Sequence, residues 1–197
     1  RNEERIEGES NMFLFTNKSD LRKCIKYEKK LLFSGIDRKG IVKYVITNNH
    51  LVEISKYQKF LRKENYYRHK KNIVSKMLEL YYTKKKNKLG NKLGFYIGGD
   101  VFDVGLVLFH HGTIIVNGNA VVGKNCKLHG NNCIGNNGKD SCAPILGDNI
   151  DIGFGASIIG NVKLASNIKI GAGAVVTKSF SEEGITLVGV PAHKKQI

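Results

Sequence analysis

Residues 144–176 read PILGDNIDIGFGASIIGNVKLASNIKIGAGAVV, and in them Leu146, Ile152, Ile158, Leu164, Ile170 and Val176 return at every sixth position. Upstream, Val116, Val122, Leu128 and Ile134 keep the same phase. The residue after these anchors is repeatedly Gly (Gly123, Gly135, Gly147, Gly153, Gly171), and the fourth residue on is small or aliphatic, as in Ala120, Ile150, Ala156, Val162, Ile168 and Ala174. A period of six fits neither a helix nor a heptad. A short strand followed by a tight turn fits it, with Gly or Asn taking backbone conformations that other residues resist. Repeats of this length predict a parallel β-helix, in which each hexapeptide makes one side of a triangular prism and the anchors stack inward. Most of the repeat is then scaffold, and function is sought where the pattern breaks.

Four segments extend the pattern to a family. Gly105-Leu106-Val107-Leu108-Phe109-His110-His111-Gly112-Thr113-Ile114-Ile115-Val116-Asn117, Pro144 to Asn149, Ile170 to Lys178, and Gly189-Val190-Pro191-Ala192 occur in the order found in the left-handed β-helix acyltransferases. They resemble the serine acetyltransferase branch in particular, over about Asn65 to the end. The resemblance implies a left-handed coil, whereas periodicity alone favours the right-handed crossover that parallel strands usually adopt.

The formal net charge is +15, and it is unevenly placed: residues 1–93 hold 24 Lys and Arg against 10 Asp and Glu, residues 94–197 hold 8 against 7. A basic block of this kind suits nucleic acid or an anionic surface. No nucleic-acid motif accompanies it, so nucleic acid is set aside in favour of solvated helix faces and peripheral contact with an anionic membrane. Cys24, Cys126, Cys133 and Cys142 show no metal-like spacing and read as structural thiols. No apolar run reaches membrane-span length, and a cytoplasmic protein is expected. The first residue is Arg rather than Met, so the natural start is expected upstream.

Two domains are expected: residues 1–93, helical, with 1–10 read as leader, and residues 94–197, the β-helix with its C-terminal tail. Met12 to Phe15 form a short apolar strip. A helix capped by Ser19 or Asp20 carries Leu21, Cys24, Ile25, Glu28, Leu31 and Leu32 and ends at Gly35. Helical spacing resumes from Lys39 and is interrupted near Thr47-Asn48-Asn49. A last helix is expected from about Asn65 to Asn87, with Ile73, Met77, Leu80 and Tyr81 as its apolar face and Lys84, Lys85, Lys86 and Lys88 at its negative end before Gly90. Tyr66, Tyr67 and Arg68 read as packing rather than as a binding cluster, and His50 and His69 as surface residues. Two breaks remain: Gly94 to Val116, which holds His110 and His111, and residues 136–143, an extruded loop.

Moving an acetyl group from a thioester to a hydroxyl needs a base for the hydroxyl proton and donors for the oxyanion. The resemblance makes His110 that base, with His111 ranked below it, and leaves open whether His129 lines the cleft. It also places Phe154, Ala172, Thr177 and Lys178 at cofactor-contacting positions for acetyl-coenzyme A, with Lys194 as a phosphate partner. Two departures stand out. The family's aspartate about fifteen residues before the histidine is replaced by the Phe95-Tyr96-Ile97 region, leaving Asp100, Asp103 or a backbone carbonyl to orient the ring. Its Arg-His pair before the proline is replaced by Cys142-Ala143, next to Pro144. A free amino acid needs a fixed cation for its buried carboxylate. The missing carboxylate clamp, a shortened helical domain and the basic half favour a sugar hydroxyl of a surface or capsular polysaccharide as the acceptor. Serine O-acetylation is the alternative, and a non-catalytic assembly scaffold is the third reading. A homotrimer with its sites between adjacent coils is expected, and no metal.

Overall fold

The computed structural model describes residues 15–98 and 100–196. The leader reading of residues 1–10 and the strip Met12 to Leu14 fall outside them. Phe15 is buried against Leu21, Cys24 and Tyr66.

Four helices come first: α1 (Lys18–Leu32), α2 (Arg38–Ile46), α3 (His50–Arg68) and α4 (Ile73–Leu93). Each begins on an Asn or Asp whose side chain accepts backbone N–H groups left free in the first turn: Asn17, Asp37, Asn49 and Asn72. The first cap is thus Asn17 rather than Ser19 or Asp20. The last helix also differs from expectation, because α3 runs on to Arg68 and α4 continues through Gly90 to a left-handed Gly94. Gly90 serves contact rather than termination: a Cβ there would stand 2.6 Å from the Phe95 carbonyl oxygen and 3.1 Å from the Tyr57 ring. Lys86 is likewise no terminal charge but a buried one, 2.7 Å from Glu64. The expected apolar face of α4, Ile73, Met77, Leu80 and Tyr81, is exposed in the single chain. Tyr66 and Tyr67 pack ring against ring, and Arg68 pairs with Glu64 and Glu79.

Short strands then wind a three-sided prism: β1 (Phe95–Ile97), β2 (Val107–Leu108), β3 (Ile114–Val116), β4 (Val121–Val122), β5 (Lys127–Leu128), β6 (Cys133–Gly135) and β7 (Ile145–Leu146). They continue as β8 (Asp151–Ile152), β9 (Ser157–Ile159), β10 (Lys163–Leu164), β11 (Lys169–Ile170), β12 (Val175–Val176), β13 (Thr186–Val188) and β14 (His193–Lys194). One side is β1-β3-β6-β9-β12, the second β4-β7-β10, the third β2-β5-β8-β11-β13-β14. Every pairing is parallel except β13 with the returning β14.

A regular turn is 18 residues, three hexapeptides, as in Lys163 opposite Ile145, Lys169 opposite Asp151 and Val175 opposite Ser157. Where the 136–143 loop intervenes the step is 24, as in Ser157 opposite Cys133. The loop adds one hexapeptide of length, which is why the phase survives it and why Asp140 is exposed. All ten anchors and the fourth-position residues Ala120, Cys126, Ile150, Ala156, Val162, Ile168 and Ala174 are buried. The exception in character is Asn132, buried at a fourth position, whose amide donates to the Gly153 and Ala156 carbonyls and accepts from the Gly130 N–H.

The glycines after the anchors have a different cause from the one expected. Gly123, Gly147 and Gly153 keep ordinary φ, but a Cβ on each would fall within 2.7 Å of the next turn. Left-handed backbone falls two residues later instead, at Asn125, Asn149, Asn167, Gly155 and Gly173. Along one prism edge the three asparagines stack as a ladder, Asn125 to Asn149 at 3.0 Å and Asn149 to Asn167 at 2.9 Å. Tyr27 of α1 donates into its first rung and Glu183 accepts from its last.

The first turn is irregular because the helices dock on it. Phe95 pairs with Ile114 and Val107 with Lys127, steps of 19 and 20 residues. Arg62 of α3, fully buried, donates to the Phe102 and Asp103 carbonyls and forms an ion pair with the buried Glu28 of α1. Glu28 in turn accepts from the Gly105 and Leu106 N–H groups. Helix residues Leu32, Phe33, Ile54, Tyr57 and Leu61 share one apolar core with the coil. Cys24 lies in this region, its thiol pushed up to about 12 by burial.

Breaking this pair from one side strands a buried charge. Arg62→Ala or Glu28→Ala should therefore cost about 3–5 kcal/mol in urea unfolding. The joint replacement Glu28→Leu with Arg62→Met should cost markedly less than the sum of the two.

Candidate functional site

The prism has three edges, and the sequence-predicted residues divide among them. The edge between the six-stranded and five-stranded sides carries His110, Gly130, Phe154 and Ala172 at successive turns, joined by Gly155 N–H to Gly130 O and Gly173 N–H to Phe154 O, both 2.9 Å. The next edge, between the five-stranded and three-stranded sides, carries the 136–143 loop, Thr177 and Lys178. Lys194, on β14, is ion-paired with Glu182 at 2.5 Å. Within one chain the structure brings His110, Phe154 and Ala172 together and leaves Thr177, Lys178 and Lys194 elsewhere.

At the first edge His110 is exposed on the bend after β2. Gly130, with φ +114°, lies between it and Phe154: a Cβ there would be 3.5 Å from the His110 Cβ and 3.3 Å from the Phe154 ring. Phe154 is half exposed and flanks the histidine corner. Below it the edge is bare, because a Cβ at Gly155 would meet nothing nearer than 3.9 Å and one at Gly173 nothing within 4 Å. That open strip of backbone and small residues fits a thin, flexible chain such as a pantetheine arm.

His110 has company from the helices. His50, the first residue of α3, stacks on the His110 ring at 5.7 Å between centroids and meets the His111 ring edge-on at 5.4 Å. It is not the lone surface residue its polar neighbours in sequence imply. Burial first, then the His111 and His110 rings, hold its pKa below the ordinary imidazole value, and only hydrogen bonding to the Phe109 backbone works the other way. Its Nε2 is buried and has no hydrogen-bond partner among the described residues. Sixty residues of separation hide this contact from any spacing rule.

Neither candidate carboxylate orients His110. Asp100 is engaged with His69 at 2.8 Å and Arg68 at 3.7 Å, which also gives His69 a partner. Asp103 caps its neighbour Val104 N–H at 2.6 Å. His129 is half-buried, 2.8 Å from Asp151, with its ring against Phe109 at 4.7 Å. A separate groove of about 390 Å³ runs between α1 and the six-stranded side, lined by Tyr27, Leu31, Asn125, Lys127, Asp151 and Lys169 among others, and it includes none of the predicted site residues. The four cysteines are free, and no metal-holding cluster of His, Cys, Asp and Glu occurs among the described residues. No helix among them is long and apolar enough to cross a membrane.

No family model matches the chain. In sequence it is 33% identical over 91 residues to the serine acetyltransferase of Synechococcus elongatus, and 33% identical over 90 residues to that of Staphylococcus aureus. These matches take in 45% of this chain, and 37% and 42% of the relatives. In structure it superimposes on the serine acetyltransferase of Neisseria gonorrhoeae with a TM-score of 0.66 at 25% identity, covering 90% of this chain and 68% of the other. The chain is serine acetyltransferase-like. The Brucella abortus serine acetyltransferase, at 19% identity and a TM-score of 0.69 over 90% of this chain and 70% of its own, shares the fold alone. The prism is the left-handed β-helix of these proteins, with a helical region before it.

This likeness overturns the sugar acceptor expected from the sequence, because the relatives in sequence and the neighbours in structure are serine acetyltransferases. That expectation leaned on the absent Arg and His at the Cys142-Ala143 position, with the short helical domain and the basic half beside it. An absence at one coil position is a negative signal and does not by itself name an acceptor.

The depressed pKa of His50 has a measurable consequence. Its stabilising contribution is fully present above the unfolded imidazole value of about 6.5 and is lost as pH falls through the lower folded value. Melting temperatures taken from pH 8 to pH 5 should fall further for the native protein than for His50→Gln.

Proposed function

We propose that this chain is an acetyl-coenzyme A-dependent serine O-acetyltransferase with His110 as its general base. The observation that carries the reading is an exposed histidine at a serine acetyltransferase-like coil corner, flanked by Phe154 and the open strip below it. The Neisseria gonorrhoeae enzyme is known in complex with serine and the Brucella abortus enzyme in complex with coenzyme A, which supports both substrates.

In this reading a ring nitrogen of His110 takes the proton of the serine hydroxyl as that oxygen attacks the thioester carbonyl. The proton then passes to the departing coenzyme A thiolate, so that the base is restored. Phe154 and Ala172 flank the pantetheine arm on the His110 edge. Thr177 and Lys178 lie on the neighbouring edge, and Lys178 supplies charge for the phosphates. Lys194 joins it only by leaving Glu182.

The division between edges has one economical resolution. In a homotrimer of parallel coils, the edge bearing Lys139, Thr177 and Lys178 of one copy faces the His110 edge of the next. The cleft between copies then holds base, arm and cations together, and Lys139 meets the serine carboxylate.

His110→Ala should lower turnover by about 10² to 10⁴-fold while coenzyme A binding persists. Lys178→Glu should weaken acetyl-coenzyme A binding in calorimetry. Light scattering should give a trimer, and co-expression of the two variants should restore about a quarter of the sites, because each such cleft combines a native His110 with a native Lys178. Full serine acetylation by His110→Ala, or no serine acetylation by the native protein, would overturn the reading.

A further inference from the structure

A base histidine works only when a third group fixes its ring, and hydrolases with a Ser-His-Asp triad use a carboxylate for this. On the coil itself, the carboxylates nearest in sequence are engaged elsewhere: Asp100 with His69 and Arg68, Asp103 with the Val104 N–H. Asp151 is taken up by His129 and Lys127. The group that does lie against His110 comes from α3, and it is His50.

We infer that His50 is the positioning residue of the base: its ring packs beside that of His110, and its Nε2, buried and without a partner among the described residues, is the acceptor that a ring N–H of His110 reaches in the working complex. This deepens the proposed serine acetyltransferase reading and rests on it for its catalytic meaning. Three observations support the inference. The rings of His50 and His110 lie 26° from parallel at 5.7 Å, an arrangement that restricts how His110 turns. The His111 ring, edge-on to His50 at 5.4 Å, holds the start of α3 against the same bend. The His50 Nε2 is buried and has no hydrogen-bond partner among the described residues, which leaves it free to accept. Catalytic hydrogen bonds are often long in the resting protein and close when substrate binds.

The assignment also accounts for the location of His50. As the first residue of α3, after the Asn49 cap, it stands at the positive end of the helix dipole, which disfavours its own protonation and keeps Nε2 available as an acceptor. The charged or titratable groups acting on it are His110 and His111.

Histidine-labelled protein separates this inference from the functional reading. Imidazole ¹⁵N shifts of His110, assigned by their loss in His110→Ala, report its tautomer whether or not serine is acetylated. A single tautomer is expected in the native protein and a mixture in His50→Ala, with His50→Gln, which keeps an acceptor, nearer the native pattern. For the native activity, His50→Ala should lower kcat on the order of 10²-fold with the KM for acetyl-coenzyme A little changed, the signature of a misplaced base. An unchanged His110 tautomer in folded His50→Ala overturns the inference, even if kcat falls, because a fall alone would mark a structural role. A native protein inactive on serine would instead sink the functional reading and leave the tautomer measurement to decide the role of His50.

Discussion

The contact on which the rest depends is the buried ion pair of Glu28 and Arg62. Two charges out of water are tolerated here because the surrounding groups are satisfied: Arg62 reaches the Phe102 and Asp103 carbonyls, and Glu28 reaches the Gly105 and Leu106 N–H groups. Those four backbone groups belong to the first coil turn, where no preceding turn exists to pair with them. The helices therefore take the place of a missing repeat. A solenoid needs such a cap, since its end turn otherwise exposes both apolar core and unpaired backbone.

From that docking the site follows. With α1 and α3 fixed on the first turn, Gln58 reaches the Leu106 carbonyl and the start of α3 comes to rest over the bend at Phe109 and His110. The coil alone presents an exposed histidine beside Phe154, and the helical segment adds the ring that stacks on it. Stability and positioning thus share one element: what satisfies the terminal backbone also delivers His50.

Much of the fold was legible because it repeats. Six-residue anchors name the core almost residue by residue, and even the 136–143 loop respects the phase, since it lengthens one turn by a whole hexapeptide. The cause of the glycines was less accessible. Gly123, Gly147 and Gly153 occupy their places because the next turn passes within contact distance, a fact about neighbours 18 or 24 residues away that conformational preference does not encode. The helical half read poorly where charge and burial part company. Lys86, taken for a dipole-facing terminal charge, is buried on Glu64, and the stripe of Ile73, Met77, Leu80 and Tyr81 that looks like a core face lies open in the single chain. His110 is marked in the sequence by its motif. The contact of His50 with it is not, because that contact arises only from tertiary docking.

The histidine cluster also changes the electrostatics of the corner. A carboxylate beside an imidazole steadies the imidazolium by charge, whereas a neutral imidazole offers only a lone pair and a polarizable face. With a second and third ring close by, protonation at one position discourages protonation at the next, as the lowered pKa of His50 shows. Such a corner favours the neutral, acceptor form of the His50 ring without burying a negative charge. Lys139 and Lys178 lie one prism edge away, so within the single chain the ring cluster and these cations stay apart.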